Sequence, residues 1–174
     1  MKLQEAIQLI QHKDLSVDTP VTWADLGCGS GTFTAALAHY LPAGSTIYAV
    51  DKAMSPDLHI PAPSVVEVSP YQLDFVKHEL PFASLNGIIM ANALHYVKDQ
   101  AAFVRKLQKA LRPDGILVMV EYDTDTPVPV WVPYPLSFTR LKKLFSAAGY
   151  GHIEKIGERP SIYGRANLYA SLIK

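Results

Sequence analysis

Apolar positions along this chain switch between two periods. Short runs at Val21–Leu26 (VTWADL), Thr46–Val50 (TIYAV), Gly87–Asn92 (GIIMAN) and Ile116–Glu121 (ILVMVE) are apolar on nearly every residue and are bounded by Gly, Pro or Asp. That is the pattern of strands buried on both faces of a parallel sheet. Between them the spacing is helical. Phe33, Ala36, Leu37, Tyr40 and Leu41 fall on one face of a helix over Thr32–Leu41. Asp99 is a good N-cap for a helix whose stripe is Phe103, Leu107, Ala110 and Leu111, and Arg112–Gly115 (RPDG) turns the chain into the next strand. Ser137 caps a second such helix, with Phe138, Leu141, Leu144 and Phe145 as its stripe and Gly149 as its stop. One amphipathic helix is expected over Leu3–Asp14.

Alternation of strand and helix predicts an α/β protein with a mostly parallel sheet. The C-terminal part breaks that alternation. HIEKIGE and NLYASLI both read as strands, separated only by RPSIYGRA. A connection so short joins antiparallel strands, so the sheet is expected to end in a hairpin. With no repeat, low-complexity tract or linker, residues 1–174 are read as one domain.

Composition narrows the function classes. Sixteen basic residues balance sixteen acidic ones, so the net charge is zero. The electrostatic footprint of a nucleic-acid binder is missing. A single cysteine, Cys28, permits no internal disulfide. The N-terminal pattern MKLQEAIQLIQHKDL is not that of a signal peptide, and no apolar run approaches the roughly 18 residues of a membrane span. A cytoplasmic protein without membrane or nucleic-acid partners is the expectation.

The chemistry concentrates in DLGCGSGTFTAAL, Asp25 to Leu37, where Gly27, Gly29 and Gly31 stand between the first strand and the first crossover helix. Glycine permits positive φ and lets a ligand touch the backbone, and unpaired N–H groups at a helix start suit an anion. The dinucleotide fingerprint G-x-G-x-x-G fails in both registers, because Thr32 or Thr34 occupies the third glycine position.

DLGCGSG instead resembles motif I of the class I S-adenosylmethionine (SAM) dependent methyltransferases. The resemblance continues through YAVD, where Asp51 lies near the ~20-residue distance expected of a ribose-binding acid. It continues through YQLDFVKHELPF, which carries Asp74, through LNGIIMANALHYV and LQKALRPDGILVMVEY, and into the terminal hairpin, covering Val21 to Lys174. It implies a Rossmann-like, doubly wound sheet of seven strands, mostly parallel with an antiparallel C-terminal hairpin, and SAM as cofactor. By that resemblance Asp25, Gly27, Gly29, Gly31, Asp51, Lys52, Asp74, Phe75, Asn92 and Ala93 are cofactor-binding candidates. Asp51 would take the ribose hydroxyls and Asp74 the adenine amino group. A third strand, VVEVSPYQL, tolerates Pro70 because the family's order puts it at the sheet edge.

Two departures from the family stand out. Pro56, Pro61 and Pro63 forbid more than a short turn of helix between Asp51 and Val65, which is expected to leave the adenine flank open. The short N-terminal region gives little of the usual lid, so a second copy of the chain, as a homodimer, is one way to complete it.

Catalytic candidates lie beyond the carboxyl ends of the central strands, where ligands bind in such sheets. They are Asn92 and His95 after the fourth strand and Glu121, Tyr122 and Asp123 after the fifth, with His95, Glu121 and Tyr122 taken as the catalytic set. His95 suits proton removal near neutrality, although it equally fits a plain helix turn packed on Tyr96. In EYDTDTPVPVWVPYPLS four prolines hold an extended loop bearing Trp131 and Tyr134. With Tyr163 these are the expected substrate rim, or else aromatics packed on the sheet. Cys28 reads as a small filler. ANALHY lacks the Asn-Pro-Pro-Tyr of DNA-adenine and glutamine methyltransferases, so the expected acceptor is a small molecule or amino-acid-like group, with no metal. An inactive SAM-fold regulatory module and a nicotinamide-dependent oxidoreductase are the other readings.

Overall fold

The computed structural model describes residues 1–54, 60, 63, 65–161 and 166–174. Seven strands form one sheet: β1 (Thr22–Leu26), β2 (Thr46–Asp51), β3 (Glu67–Gln72), β4 (Leu85–Ala91), β5 (Leu111–Tyr122), β6 (Ile153–Pro160) and β7 (Asn167–Ile173). Their order across the sheet is β3-β2-β1-β4-β5-β7-β6. The first five run parallel, and β7 is antiparallel to both β5 and β6. The mostly parallel sheet and its C-terminal hairpin are those the sequence pattern predicts, and the doubly wound, seven-stranded arrangement is the one the family resemblance implies. Chain order reverses between β1 and β4, so a crevice opens beyond their carboxyl ends. Pro70 pairs with Ala49 on the edge strand β3, where no further neighbour needs its missing N–H.

Alternate residues of the central strands point to opposite sides and build two cores. On one side Ala24, Leu26, Ile88, Met90, Leu117 and Met119 pack under α3 (Gln100–Ala110) and α4 (Phe138–Ala147), through Phe103, Leu107, Leu141 and Phe145. On the other, Trp23, Ile47, Ile89, Val118 and Val120 lie under α1 (Leu3–Leu9) and α2 (Thr32–Ala38), through Ile7, Leu9, Phe33 and Leu37. Continuous apolar runs were therefore the right signature, since both faces are covered. The capping readings also hold. Asp99 accepts from the Ala102 N–H at 2.9 Å, Ser137 accepts from the Arg140 N–H at 3.4 Å, and Gly149 takes a φ of 96°.

Three boundaries differ from the sequence expectation. The first helix ends at Leu9 rather than Asp14, because the His12 ring accepts the Asp14 N–H at 3.2 Å and starts a separate 3-10 turn over Lys13–Leu15. The next helix closes at Ala38, with Tyr40 instead donating its hydroxyl to the Ile7 carbonyl at 2.7 Å. The RPDG turn is absorbed into β5. Leu111 already pairs with Leu85, and Ile116 with Gly87, so Arg112–Gly115 forms an irregularity within the strand, exposed at Arg112, Pro113 and Asp114 and buried at Gly115. The proline-rich crossover falls mostly outside the described residues, Pro56 and Pro61 included. At one described point it meets the glycine loop: Ile60 lies so close to Gly31 that a Cβ there would come within 2.4 Å of it.

The N-terminal helix is clamped to the hairpin. Arg159 donates to Glu5 at 2.7 Å, and Lys174 pairs with Asp14. Gly157 sits at an irregularity of β6, where the Leu9 backbone comes so close that a Cβ on it would stand 2.1 Å from the Leu9 carbonyl oxygen. Gly157→Ala should therefore cost about 1–3 kcal/mol through forced separation of α1 from β6. Gly151→Ala, whose Cβ meets nothing within 4 Å, should leave the urea unfolding midpoint in place.

Candidate functional site

The glycine loop leaves β1 with Gly27, Gly29 and Gly31 all at positive φ, 86°, 53° and 81°. Side chains rarely adopt this backbone. Gly27 is also a close approach, since its Cβ would stand 2.7 Å from the Ala93 Cβ and 3.7 Å from the Phe75 ring. The loop is tied to the end of β2. The N–H groups of Gly27 and Cys28 both donate to the Val50 carbonyl, at 2.8 and 3.1 Å, and the Gly29 N–H donates to Asp51 at 3.0 Å. The second Asp51 oxygen accepts the Ala53 N–H at 3.1 Å. A carboxylate has about four acceptor positions, so Asp51 retains capacity for a ligand. Lys52 follows it, exposed, with its carbonyl accepting from Gln72 at 3.3 Å.

Asp74 and Phe75 form the next wall. Asp74 accepts the N–H groups of Val76 and Lys77, at 3.2 and 3.3 Å. Burial pushes its carboxyl up, but those bonds and the Lys77 side chain outweigh burial and hold it below the usual range. Phe75 is buried against Phe103, and its carbonyl accepts Lys106 Nζ at 2.9 Å. Lys106 also donates to the His78 carbonyl, so one cation braces the whole Asp74 loop.

Asp25 is fully buried, at the end of β1. One oxygen accepts the Thr34 hydroxyl at 2.6 Å; the other has no partner among the described residues. Burial, with the charge of Asp51 adding to it and the Thr34 bond opposing it, raises this carboxyl to about 7. Thr34, one of the two positions where the dinucleotide fingerprint fails, thus has its own use. Burial, reinforced by Asp25 and Asp51, also pushes the Cys28 thiol up to about 12, which makes it an inert filler, as expected.

Past β4 the chain turns sharply at Asn92 (φ 52°), a left-handed conformation that asparagine tolerates. Its N–H donates to the Val120 carbonyl at 2.8 Å, and its side-chain oxygen is buried without a described partner. A 3-10 turn over Leu94–Tyr96 follows and places His95 against Glu121, the penultimate residue of β5. Nδ1 of His95 lies 2.5 Å from Glu121 Oε2, the His95 N–H donates to Oε1 at 3.2 Å, and the two side chains are 2% and 1% exposed. His95 makes the turn packing that the sequence suggests. It sits in the turn, its ring 4.4 Å from that of Tyr96, and it is paired as well.

His95, Asn92 and Tyr122 line a cleft of about 430 Å³, together with Tyr96, Thr124, Val128, Trp131, Val132, Ser161 and Ala166. Val128 and Val132 bridge each other in a tight turn, with Val130 at φ 71°. The turn holds Trp131 72% and Val130 82% exposed at the mouth. Trp131 thus stands at the cleft mouth. Tyr134 stands outside the lining. Its N–H donates to the His95 carbonyl at 3.0 Å, and its own carbonyl accepts Gln100 Nε2 at 3.0 Å, so its backbone fastens the loop to the Leu94–Tyr96 turn. Tyr163 lies outside the described residues. Asp123 anchors the loop's start and end: it accepts the Phe138 N–H at 2.9 Å and pairs with Lys155 at 3.0 Å. The sequence carried no signal for the His95–Glu121 pairing across 26 residues, or for Val128, Val132, Thr124, Ser161 and Ala166 as lining.

Among the described residues there is no cluster of three or more metal-ligating side chains, and no helix is long and apolar enough to cross a membrane.

Known structures share this architecture. A Burkholderia thailandensis 1,6-didemethyltoxoflavin N1-methyltransferase, solved with 1,6-didemethyltoxoflavin and S-adenosylhomocysteine, superposes with a TM-score of 0.71 at 16% identity, covering 98% of this chain and 76% of its own. A SAM-dependent methyltransferase from Aquifex aeolicus gives 0.62 at 16% identity, covering 99% and 98%. Human N-acetylserotonin methyltransferase with SAM gives 0.65 at 18%, covering 98% and 50%. Such identities establish the fold: that of the class I SAM-dependent methyltransferases. Curated protein sequences give no match. The methyltransferase-domain family profile matches residues 24–119, more than half of the chain, and the chain belongs to that family.

The buried Asp25 generates a prediction. The folded protein keeps this proton up to about pH 7, whereas the unfolded chain releases it near 3.8. Between those values the folded state binds more protons, so the Asp25 contribution to stability is fullest below 3.8 and declines as pH rises to about 7. Asp25→Asn should remove this decline. Urea unfolding of both proteins across that window should show the variant's stability, relative to the parent, rising with pH.

Proposed function

We propose that this chain binds SAM in the glycine loop and transfers its methyl group to a small-molecule acceptor held in the adjoining cleft. The observation that carries the reading is the position of Asn92. Next to it in the chain, Ala93 packs against Gly27 of the loop, and Asn92 itself lines the cleft beside His95. The two half-sites therefore adjoin through two consecutive residues. The unpartnered buried oxygens of Asn92 and Asp25 fit a ligand that carries N–H donors, as the amino-acid end of SAM does.

In this reading Gly27, Gly29 and Gly31 let the cofactor lie on the backbone, Asp51 accepts from the ribose hydroxyls, and Asp74 with Phe75 bounds the adenine. Lys52 flanks the ribose. When bound, SAM supplies an electrophilic methyl group. The chain supplies orientation and, for an acceptor bearing a proton, a base. Glu121 accepts a hydrogen bond from the Nδ1–H of His95, which leaves Nε2 as the acceptor. Tyr122 and Trp131 flank the acceptor. The single-cysteine composition agrees with a cytoplasmic setting. Membership of a methyltransferase family sets the nicotinamide reading aside.

Calorimetric titration tests the cofactor. SAM and S-adenosylhomocysteine should bind and NADH should not. Asp51→Ala should weaken both sulfur ligands by roughly 10–100-fold through loss of charge-assisted hydrogen bonds. Binding of NADH alone, or undiminished SAM affinity in the variant, overturns the assignment.

A further inference from the structure

Beyond methyl transfer, we propose that the face built by α3, α4 and the loop before α4 is a docking surface for an anionic lipid bilayer. Val130 and Trp131 enter the interfacial layer, and the two helices supply the charge.

A chain of zero net charge segregates its charges here. α3 and α4 carry Arg105, Lys106, Lys109, Arg140, Lys142 and Lys143, six of the sixteen basic residues, and neither helix contains an aspartate or glutamate. Both helices cover the same side of the sheet, and the Gln108 side chain of α3 donates to the Ala148 carbonyl at the end of α4, at 2.9 Å. Their apolar stripes face the core, which leaves Arg105 and Lys109, one turn apart, and Lys142 and Lys143 exposed. The carboxylates at the margins of this face are already engaged. Asp99 caps α3, Asp114 pairs with Arg112 at 3.2 Å, and Asp125 pairs with Arg140 at 3.8 Å. Lys106 is turned to the Phe75 and His78 carbonyls. Among the described residues Arg105, Lys109, Lys142 and Lys143 have no carboxylate partner.

An apolar crest stands at the N-terminal ends of both helices. Val130 and Trp131, 82% and 72% exposed, project from the turn closed by Val128 and Val132. Gln100, the first residue of α3, holds the Tyr134 carbonyl at 3.0 Å, and Ser137 caps α4 three residues further on. Arg105 and Lys143 each follow the first residue of their helix by only about 8 Å along its axis. Pro127, Pro129 and Pro133 restrict the crest's backbone, so ordering it on a surface costs little.

Charge and crest together select the partner. A soluble polyanion would neutralise the helices and leave Val130 and Trp131 in water. A protein would need a recess shaped to the crest, and a second copy meeting this face symmetrically would set cation against cation. A bilayer interface takes both parts at once. Tryptophan is favoured at headgroup depth, and each lysine or arginine beside an anionic surface gains roughly fivefold in affinity. The sequence expectation of no membrane partner rested on the lack of a spanning run, which surface attachment does not require.

Vesicle sedimentation with the whole chain, which needs no cofactor, tests this separately from SAM binding. Phosphatidylcholine vesicles containing about 30% phosphatidylglycerol should bind the protein roughly tenfold more tightly than phosphatidylcholine alone. Added salt should release it. Trp131 emission should shift to the blue on the anionic vesicles; Trp23, the other tryptophan, is 2% exposed and stays constant. Arg105→Gln with Lys109→Gln, and separately Lys142→Gln with Lys143→Gln, should each weaken vesicle binding roughly tenfold without moving the urea midpoint. Trp131→Ala should weaken it roughly fivefold. Should one pair fail to fold, the other pair and Trp131→Ala decide the matter. Equal binding to neutral vesicles, binding without the blue shift, or unchanged affinity in the paired variants overturns the proposal. Binding of polyglutamate or a single-stranded oligonucleotide as tightly as anionic vesicles also overturns it, and assigns the face to a soluble acidic partner.

Discussion

The buried contact between His95 and Glu121 is the constraint on which the rest of the site turns. An imidazole and a carboxylate lie 2.5 Å apart with almost no exposure. Losing one partner of such a pair costs about 3–5 kcal/mol, because the other is left buried and unpaired. The pair therefore fixes more than its own geometry. Glu121 belongs to β5 and faces Tyr169 across the antiparallel ladder, so its position is set by the sheet. His95 belongs to an irregular turn that no strand ladder holds. The carboxylate pulls that turn into register, with two bonds to the same residue, and the His95 carbonyl then receives the Tyr134 N–H. A chain of contacts runs from rigid sheet to turn to loop, and the cleft's shape follows from it.

The rigid part of this arrangement explains where strain is tolerated. Asn92 and Val130 both take left-handed backbone, and for a β-branched residue such as Val130 this is a true outlier. Strain of order 1–3 kcal/mol persists only where the surroundings over-determine it. Around Val130 they do, since Val128 and Val132 exchange two hydrogen bonds across it, and Asp123 and Tyr134 pin the loop at both ends. The consequence is an aromatic side chain held out at the cleft mouth rather than folded onto the core.

Legibility in the sequence followed the range of the interaction. Strands β1, β2 and β4 were readable because covering both faces demands uninterrupted apolar runs, and Asp99, Ser137 and Gly149 were readable because caps act within three residues. The glycine loop was readable because only glycine allows its φ angles. What escaped depended on partners distant in sequence. The start of β5 at Leu111 requires pairing with Leu85. Asp25 and Thr34 were both noticed, one as a motif residue and one as a failed glycine, yet the bond between them belongs to the fold. His95 and Glu121 were separate candidates until the sheet brought them together. Tyr134 was read by its ring, but it acts through its backbone.

The division of labour between the two half-sites follows from these differences. On the glycine side, specificity is carried by backbone and by carboxylates at strand ends, features that any sequence keeping the sheet order can reproduce. On the cleft side it is carried by one loop, whose walls are aromatic and aliphatic and whose polar content is concentrated at His95 and Asn92. An apolar wall discriminates among ligands by shape and by the cost of burying charge, whereas backbone groups and carboxylates at strand ends discriminate by hydrogen bonding. The two kinds of selection adjoin at one turn, because Ala93 approaches Gly27 of the loop while its neighbour Asn92 lines the cleft.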